Sequence, residues 1–256
     1  MTQLMIDGRH WGRFRDQFRG RNWLLAVAML VMTGFVPLAA ADEIAALTQD
    51  GQRYAVPLPD GYCDISATPV GIALRGYMDD LAQTNKMMPK PGIIFQRCDA
   101  KKIFPWGYVG TLDGRPVIAT QDALNRLRAK LYGQAELMQD ILGAASDINA
   151  DAMSEWGIDV GKITAGTPTI ILSDAHAIVS VMISEALVDG MPYSEKLISS
   201  GSVLDGLIFE FVIFDDKGAG GIDTMATARL LVRNARALKA ANDNAGMASQ
   251  ATGKDS

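Results

Sequence analysis

The chain has 256 residues with 29 acidic and 24 basic side chains, so its formal charge of −5 disfavours nucleic acid and anionic membrane surfaces as partners. Its length suits one domain with a substantial core, or two small domains. With only two histidines, one of them in the N-terminal segment, the sequence excludes a His-rich metal site, and we expect no cofactor.

The N-terminal segment is typical of a secretory signal. Five arginines precede a largely apolar run over 23–36, and Ala39-Ala40-Ala41 satisfies the small-x-small rule for cleavage before Asp42. The apolar run is shorter than the roughly 20 residues of an ordinary membrane-spanning helix. We therefore predict a signal peptide over 1–41 and a periplasmic or secreted protein. The alternative is an uncleaved segment that anchors the domain to the inner membrane, facing the periplasm.

The predicted mature chain is more acidic than the whole. When the five arginines and two aspartates of 1–41 are removed from the totals of 24 and 29, the formal charge becomes −8. Cys63 and Cys98 both lie in this part. In an oxidising compartment an even pair is more often a disulfide than a site, so we predict a bridge. Closing a loop of about 35 residues stabilises the fold by about 3–4 kcal/mol on the chain-entropy model. Two buried free thiols are the alternative.

The first half of the mature chain begins with a polar lead to Gln52. Asp113-Gly114 stands between two extended runs and predicts a hairpin, because both central residues of such a turn need positive φ. Apolar periodicity and capping residues predict a strand from Tyr54, a helix from Pro69 to Lys86, a strand over 93–98, a hairpin over 108–118 and a helix from Thr120 to about Ala145.

The second half contains the most apolar run, 207–214, in which seven of eight residues are apolar. Such a run predicts a central strand covered on both faces. Before it we predict loop with a short helix over 146–166, a hairpin of strands over 169–173 and 177–183, and a short helix over 192–200. After it we predict a helix capped by Asp223 or Thr224, with Met225, Ala228 and Leu231 facing inward, and a disordered tail over 242–256.

This order of elements predicts an α+β fold, in which a largely antiparallel sheet is covered by helices in a single domain over 42–241. A Rossmann-type fold would instead alternate strand and helix throughout.

Several short motifs carry a resemblance. They are Leu58-Pro59-Asp60-Gly61-Tyr62-Cys63-Asp64, a second Cys ahead of a Lys-rich turn, and a late strand leading to a helix that closes in Leu238-Lys-Ala-Ala-Asn242. With these motifs the chain resembles a group of uncharacterised secreted bacterial proteins. The order of elements is also similar to the PsbP-like α/β/α sandwich. The resemblance implies an exported accessory or binding role and brings no catalytic residue with it.

The residues offer one candidate for catalysis. Asp174 lies two residues before His176, the single histidine of the mature chain, at the predicted hairpin tip. In a hydrolase Asp174 would orient His176 as a general base, and Ser173 or Ser180 would be the nearest serine nucleophile. The alternative is a solvated turn histidine, because a hairpin tip lacks the desolvated pocket that catalytic groups need. No familiar catalytic or phosphate-binding motif is present.

Acidic residues near the end of the 207–214 strand offer a candidate cation site. Asp215, Asp216 and Asp223 form a carboxylate-rich loop that could hold a hard cation, although their spacing does not fit the twelve-residue calcium loop and an ordinary turn is the alternative. Glu210, inside the apolar strand, either faces a polar cleft or is paired with Arg or Lys.

Together these features predict an exported, non-catalytic binding or accessory protein of the bacterial cell envelope, whose partner is an unknown protein or small molecule. The alternatives are a periplasmic hydrolase that uses Asp174 and His176, and a domain tethered to the inner membrane by the N-terminal segment.

Overall fold

A computed structural model describes residues 44–84, 88–100, 104–113, 118–155, 161, 163–216 and 221–252. The predicted signal peptide over 1–41 lies outside the described residues. The strands are β1 Ile44–Gln49, β2 Gln52–Pro57, β3 Tyr62–Asp64, β4 Lys90–Arg97, β5 Trp106–Asp113, β6 Thr164–Ala165, β7 Thr169–Ser173, β8 Ile178–Val188, β9 Met191–Leu204 and β10 Leu207–Asp216. The helices are α1 Pro69–Thr84, α2 Gln121–Tyr132, α3 Ala135–Glu155 and α4 Thr224–Thr252.

One sheet of eight strands organises the domain. Its order is β3-β4-β5-β10-β9-β8-β6, with β7 also paired to β8, and a separate hairpin is formed by β1 and β2. Every pairing is antiparallel. The predicted α+β fold with an antiparallel sheet and covering helices is therefore confirmed. In the described part of the chain, none of the helices is long and apolar enough to span a membrane.

The central strand β10 is covered on both faces, as its apolar sequence predicts. Successive side chains of a strand point to opposite faces. Phe209 and Phe211 join the cluster that packs against α4 and the β1–β2 hairpin, whereas Val212 packs towards α1 and Ile208 towards α2. We call the first the α4 face and the second the α1/α2 face.

Three tight turns of the same type connect consecutive strands. Asp50-Gly51, Asp189-Gly190 and Asp205-Gly206 all have positive φ at both residues, which is the backbone that two-residue hairpin turns require. The segment predicted as a polar lead to Gln52 is therefore the hairpin β1–β2. The short helix predicted over 192–200 is also wrong: these residues belong to β9, which pairs with β8 on one side and β10 on the other.

The turn and most of the second arm of the hairpin predicted over 108–118 lie outside the described residues, which leave out 114–117. The first arm is β5, which pairs with β4 on one side and with β10 on the other. Ile118, in the expected arm, is not part of a strand. The hairpin predicted from 169–173 and 177–183 is confirmed as β7–β8.

The helix predicted from Thr120 to about Ala145 is two helices. Thr120 caps α2, since its side chain accepts from the Ala123 amide. The helix ends where the Gly133 amide donates to the Ala129 carbonyl, and α3 then begins at Ala135 and continues to Glu155, through residues predicted as loop.

The last helix begins as predicted and ends later. Asp223 caps α4 by accepting from the Ala226 amide at 2.9 Å, and Ala228 and Leu231 are buried as expected, but Met225 is exposed. Helix continues to Thr252, beyond Asn242, where we predicted a disordered tail. One reason is that the side chain of Asn242 is fixed against the Ala55 backbone.

Candidate functional site

The predicted disulfide joins the first edge of the large sheet to its neighbour. Cys63 lies in the middle of β3, and Cys98 follows the end of β4, with an S–S distance of 2.05 Å and a Cα–Cα distance of 5.2 Å. The antiparallel pairing of β3 with β4 brings the two cysteines together, and the Cys98 amide donates to the Gly61 carbonyl at 2.9 Å. The bridge therefore fixes a strand of only three residues.

A cleft of about 650 Å³ lies beside this strand, on the α4 face. Three parts of the chain meet there: the turn into β3, the end of β4 with Phe104 and Pro105, and the first turns of α4. Its apolar lining includes Leu230 and Ile222. The polar and charged side chains that line it include Asp60, Tyr62, Arg97, Asp215 and Arg233.

Tyr62 supplies a hydroxyl to this cleft from a side chain that is otherwise buried. The residue is 7% exposed and its ring packs edge-on against Phe95, with centroids 5.4 Å apart. Burial raises the pKa of Tyr62 to about 12, although the nearby Arg97 acts in the opposite direction. No described residue hydrogen bonds to this hydroxyl, so it can donate to or accept from a ligand.

Two arginines from different elements line the cleft. Arg97 donates from Nε and Nη2 to the Asp99 carboxylate at 2.9 and 2.8 Å, and its side chain is 45% exposed. Arg233 is 3.8 Å from the Asp60 carboxylate, a longer contact between two exposed side chains. Exposed pairs of this kind contribute little to stability. The guanidinium groups therefore keep N–H donors that can reach a ligand.

One of the lining residues, Asp215, belongs to a buried ion pair. Asp215 is 4% exposed, lies 3.1 Å from Lys196 Nζ and accepts from the Ile222 amide at 2.9 Å. Lys196 also donates to the Ile222 carbonyl at 2.8 Å. The ion pair thus holds the chain that leads from β10 into α4, and it positions the N-terminal part of that helix at the cleft.

The proposed cation ligands have other roles here. The Asp215 carboxylate is held by Lys196 and Ile222, and Asp223 caps α4. Asp216 follows Asp215 on the same strand, so its side chain points to the opposite face of the sheet. Among the described residues, no three His, Cys, Asp or Glu side chains are grouped as metal ligands. The structure therefore does not bring the three aspartates together.

The proposed catalytic pair is also arranged differently from the prediction. Asp174 accepts from the backbone amides of His176 and Ala177 at 2.7 and 3.0 Å, and its second oxygen accepts from Arg236 at 2.6 Å. The carboxylate therefore does not orient the imidazole. Nδ1 of His176 is buried without a hydrogen-bond partner in the described chain. Desolvation is the largest single influence on Asp174 and opposes its ionisation, but the hydrogen bonds from Arg236 and from the two backbone amides, together with the charge of Arg236, outweigh it and lower the pKa.

The two candidate serines do not complete a catalytic group. Ser180 is buried, and its hydroxyl lies 3.0 Å from the Ser199 hydroxyl. Ser173 is exposed at the end of β7. Neither serine has a described bond to the imidazole. The hydrolase that we named as an alternative would need a nucleophile beside its base, and the described residues named for it do not provide that geometry.

Glu210 is paired, which is one of its two predicted outcomes. The Glu210 carboxylate accepts from Arg128 of α2, on the α1/α2 face. Desolvation opposes the charge of Arg128, yet Glu210 raises the pKa of the guanidinium. A Cβ at Gly201 would lie 2.8 Å from the guanidinium atoms. Glycine at this position therefore lets the flat group lie against β9.

The cleft residues Tyr62, Arg97 and Arg233 were not identified from the sequence. They come from separate parts of the chain, and each has an ordinary local context. One signal was available: Tyr62 and Arg97 immediately precede the two cysteines in the sequence. A predicted bridge between Cys63 and Cys98 therefore already implies that these two side chains are neighbours.

Comparisons with known proteins leave the family open. No protein-family model matches the chain, and no curated protein matches it in sequence. The solution structure of cyanobacterial PsbP from Synechocystis sp. PCC 6803 matches with a TM-score of 0.31 and 11% identity, over 80% of this chain and 96% of that protein. A similarity at this level shows neither a family nor a function.

Proposed function

We propose that the protein is an exported, non-catalytic binding or accessory protein of the bacterial cell envelope, and that it binds its partner through the cleft beside the disulfide. The observation that carries this proposal is the cleft itself. It combines a buried tyrosine whose hydroxyl is available, two exposed arginines and an apolar wall in a volume of about 650 Å³. Binding sites typically consist of an apolar cavity with a few polar groups that orient the ligand.

The disulfide supports the proposed compartment. Structural disulfides persist in the periplasm and outside the cell, whereas cytosolic thiols are kept reduced. The test is mass spectrometry of the N-terminus of the protein recovered from the envelope. A chain that begins at Asp42 supports export with cleavage. A chain that keeps residues 1–41 would instead favour the domain tethered to the inner membrane.

The cleft is tested by crosslinking in the envelope. A photoreactive amino acid at Leu230, on the apolar wall, should capture a discrete partner, and the combined change of Arg97→Glu and Arg233→Glu should abolish that capture. The matched control is Arg126→Glu, because Arg126 is equally an exposed arginine paired with a nearby aspartate, Asp122. Equal capture by both variants would show that the cleft is not the binding site.

The hydrolase alternative makes an opposite prediction for His176. If the protein is non-catalytic, His176→Ala should leave partner capture at Leu230 unchanged and the protein folded. If the His176→Ala variant remains folded but loses a hydrolytic activity that the parent protein shows in the envelope, the hydrolase is favoured.

A further inference from the structure

The two outer edges of the β1–β2 hairpin differ in whether other groups bond to their outward backbone atoms. Residues of an antiparallel pair alternate between positions whose backbone groups point at the partner strand and positions whose groups point outward. Ala55 of β2 points outward, and its amide and carbonyl are bonded to the Asn242 side chain at 3.0 and 2.8 Å. Asn234 donates to the Pro57 carbonyl at 3.1 Å. Two amide side chains of α4 therefore occupy the outer edge of β2.

The outer edge of β1 has no such cover in the described structure. Its register with β2 pairs Ala46 with Ala55 and Thr48 with Arg53, so the alternation that turns Ala55 outward also turns Ala46 and Thr48 outward. No described group bonds to their outward backbone atoms, and both residues are exposed. Ile44, at the start of the strand, is 61% exposed.

The sequence of β1 does not protect this edge. Proteins usually blunt an open edge with a charged side chain, a proline or a bulge. The sequence of the strand, IAALTQ, contains no charged residue and no proline. Its register with β2 is continuous, so the strand has no bulge. A six-residue edge of this kind is a template for an added strand, which would gain backbone hydrogen bonds.

The charges around the edge indicate the partner. Asp50 is exposed in the turn at the end of β1, and Asp205 reaches the same end through a bond from Gln52 at 3.3 Å. The chain from Asp42 onward is strongly acidic, which opposes the approach of a second identical copy and favours a basic partner.

We propose that the outer edge of β1 binds an extended segment of a partner polypeptide, uncharged over about six residues and flanked by basic residues beside Asp50. This surface is additional to the cleft, and it recognises the backbone rather than a particular side chain. Its failure would leave the cleft proposal standing, because the tests use different residues.

The probe is a synthetic peptide with two lysines followed by six alternating valines and threonines, called here the lysine peptide. The control peptide, called the glutamate peptide, has two glutamates in place of the lysines. Addition of the lysine peptide to the full chain should slow amide exchange of Ala46 and Thr48, measured by NMR, and should leave Ala55 unchanged. The glutamate peptide should bind at least tenfold more weakly. No added protection at Ala46 and Thr48 would overturn the proposal.

A matched pair of variants tests the backbone donor. Ala46→Pro removes an outward N–H without touching the bonds to β2, and it should weaken binding of the lysine peptide at least tenfold in fluorescence anisotropy. Ala46→Val keeps the donor and should bind as the parent does. Thr48→Pro tests the other outward position should the first variant not fold. The proposal is contradicted if a folded proline variant binds the lysine peptide as the parent does. It is also contradicted if the parent forms concentration-dependent dimers that either proline variant abolishes, because the edge would then bind a second copy of this chain.

Discussion

Two buried ion pairs on the same strand, β10, face opposite sides of the sheet. Glu210 and Arg128 meet on the α1/α2 face, where their side chains are 7% and 11% exposed. Asp215 and Lys196 meet on the α4 face, with exposures of 5% and 15%. The first pair ties α2 to β10, whereas the second includes Asp215, which lines the cleft, and also holds the backbone of Ile222.

The two pairs show that β10 contributes to the core on one face of the sheet and to the cleft on the other. The Arg128 guanidinium lies against Gly201, and its Nη1 is buried without a hydrogen-bond partner among the described residues. The Asp215 carboxylate has a second donor in the Ile222 amide and borders an open cleft. We therefore expect the closed pair, Arg128 and Glu210, to be required mainly for stability and the cleft pair to be more tolerant of change.

The largest effect is expected when the closed pair loses its cation. Arg128→Ala leaves Glu210 buried without its partner, which should lower the free energy of unfolding by about 3–5 kcal/mol. Denaturant titration of the purified domain measures this. Arg126→Ala on the same helix, at an exposed pair with Asp122, should change it by less than about 0.5 kcal/mol. A loss below about 1 kcal/mol for Arg128→Ala would remove the contrast between the two pairs.

The disulfide gives the next largest effect, confined to the cleft side. Replacing both Cys63 and Cys98 by serine removes the constraint on a loop with a sequence separation of 35, at a cost of about 3–4 kcal/mol. Amides of β3 should lose exchange protection first, whereas β10 should keep its own, because β10 is paired on both edges. Uniform loss of protection across both strands would contradict a local role of the bridge.

A smaller effect is expected at the cleft pair. Lys196→Met leaves Asp215 with the Ile222 amide, and solvent in the cleft can partly replace the lost ammonium. The free energy of unfolding should fall by about 1–3 kcal/mol, less than for Arg128→Ala in the same titration. If Lys196→Met proves the more destabilising of the two, the proposed distinction between closed and open pairs is wrong.

The smallest effect is expected in the pH dependence of stability, through the carboxyl group of Glu195. Glu195, next to Lys196 on β9, points to the other face, where burial raises its pKa above the ordinary 4.5 despite a hydrogen bond from the Tyr193 hydroxyl. A raised pKa means that the folded state binds the proton more tightly, so the stabilisation is present below the ordinary pKa and is lost as pH rises through the folded value.

Glu195→Gln removes this titration. The variant should unfold at the same temperature as the parent, or lower, near pH 4, and at a higher temperature near pH 8, where the parent must keep a buried carboxylate charged. Thermal melts across this range measure the difference. A difference in melting temperature that does not change with pH would show that Glu195 is not perturbed.

Much of the architecture follows from local sequence. The apolar run in β10 predicts a strand buried on both faces, and Asp223 predicts the start of α4 because a side-chain oxygen satisfies the first free amides of a helix. The even number of cysteines after residue 41 predicts the bridge. For Glu210 the sequence left two outcomes, a polar cleft or a cation partner, since a charge inside an apolar strand is costly without a partner, and the structure shows the second.

Turns were predictable in kind, although we identified none of the three Asp-Gly turns that the structure describes. Asp50-Gly51, Asp189-Gly190 and Asp205-Gly206 all form the tight turns that Asp-Gly favours, whereas the turn predicted at Asp113-Gly114 lies partly outside the described residues. The Asp-Gly dipeptide indicates only that the backbone can adopt positive φ at both residues. Whether the flanking segments pair with each other depends on which strands already occupy their edges, and those strands are distant in sequence.

Only the tertiary structure decided the state of β9 and the position of the cleft. The mixed run Met191–Leu204 lacks clear periodicity, and it is a strand because β8 and β10 offer hydrogen-bonding edges on both sides. The cleft requires Tyr62, Arg97 and Arg233 to converge from three elements. Local propensity and periodicity act over a few neighbouring residues, whereas strand pairing and a cleft depend on contacts between segments far apart in the chain.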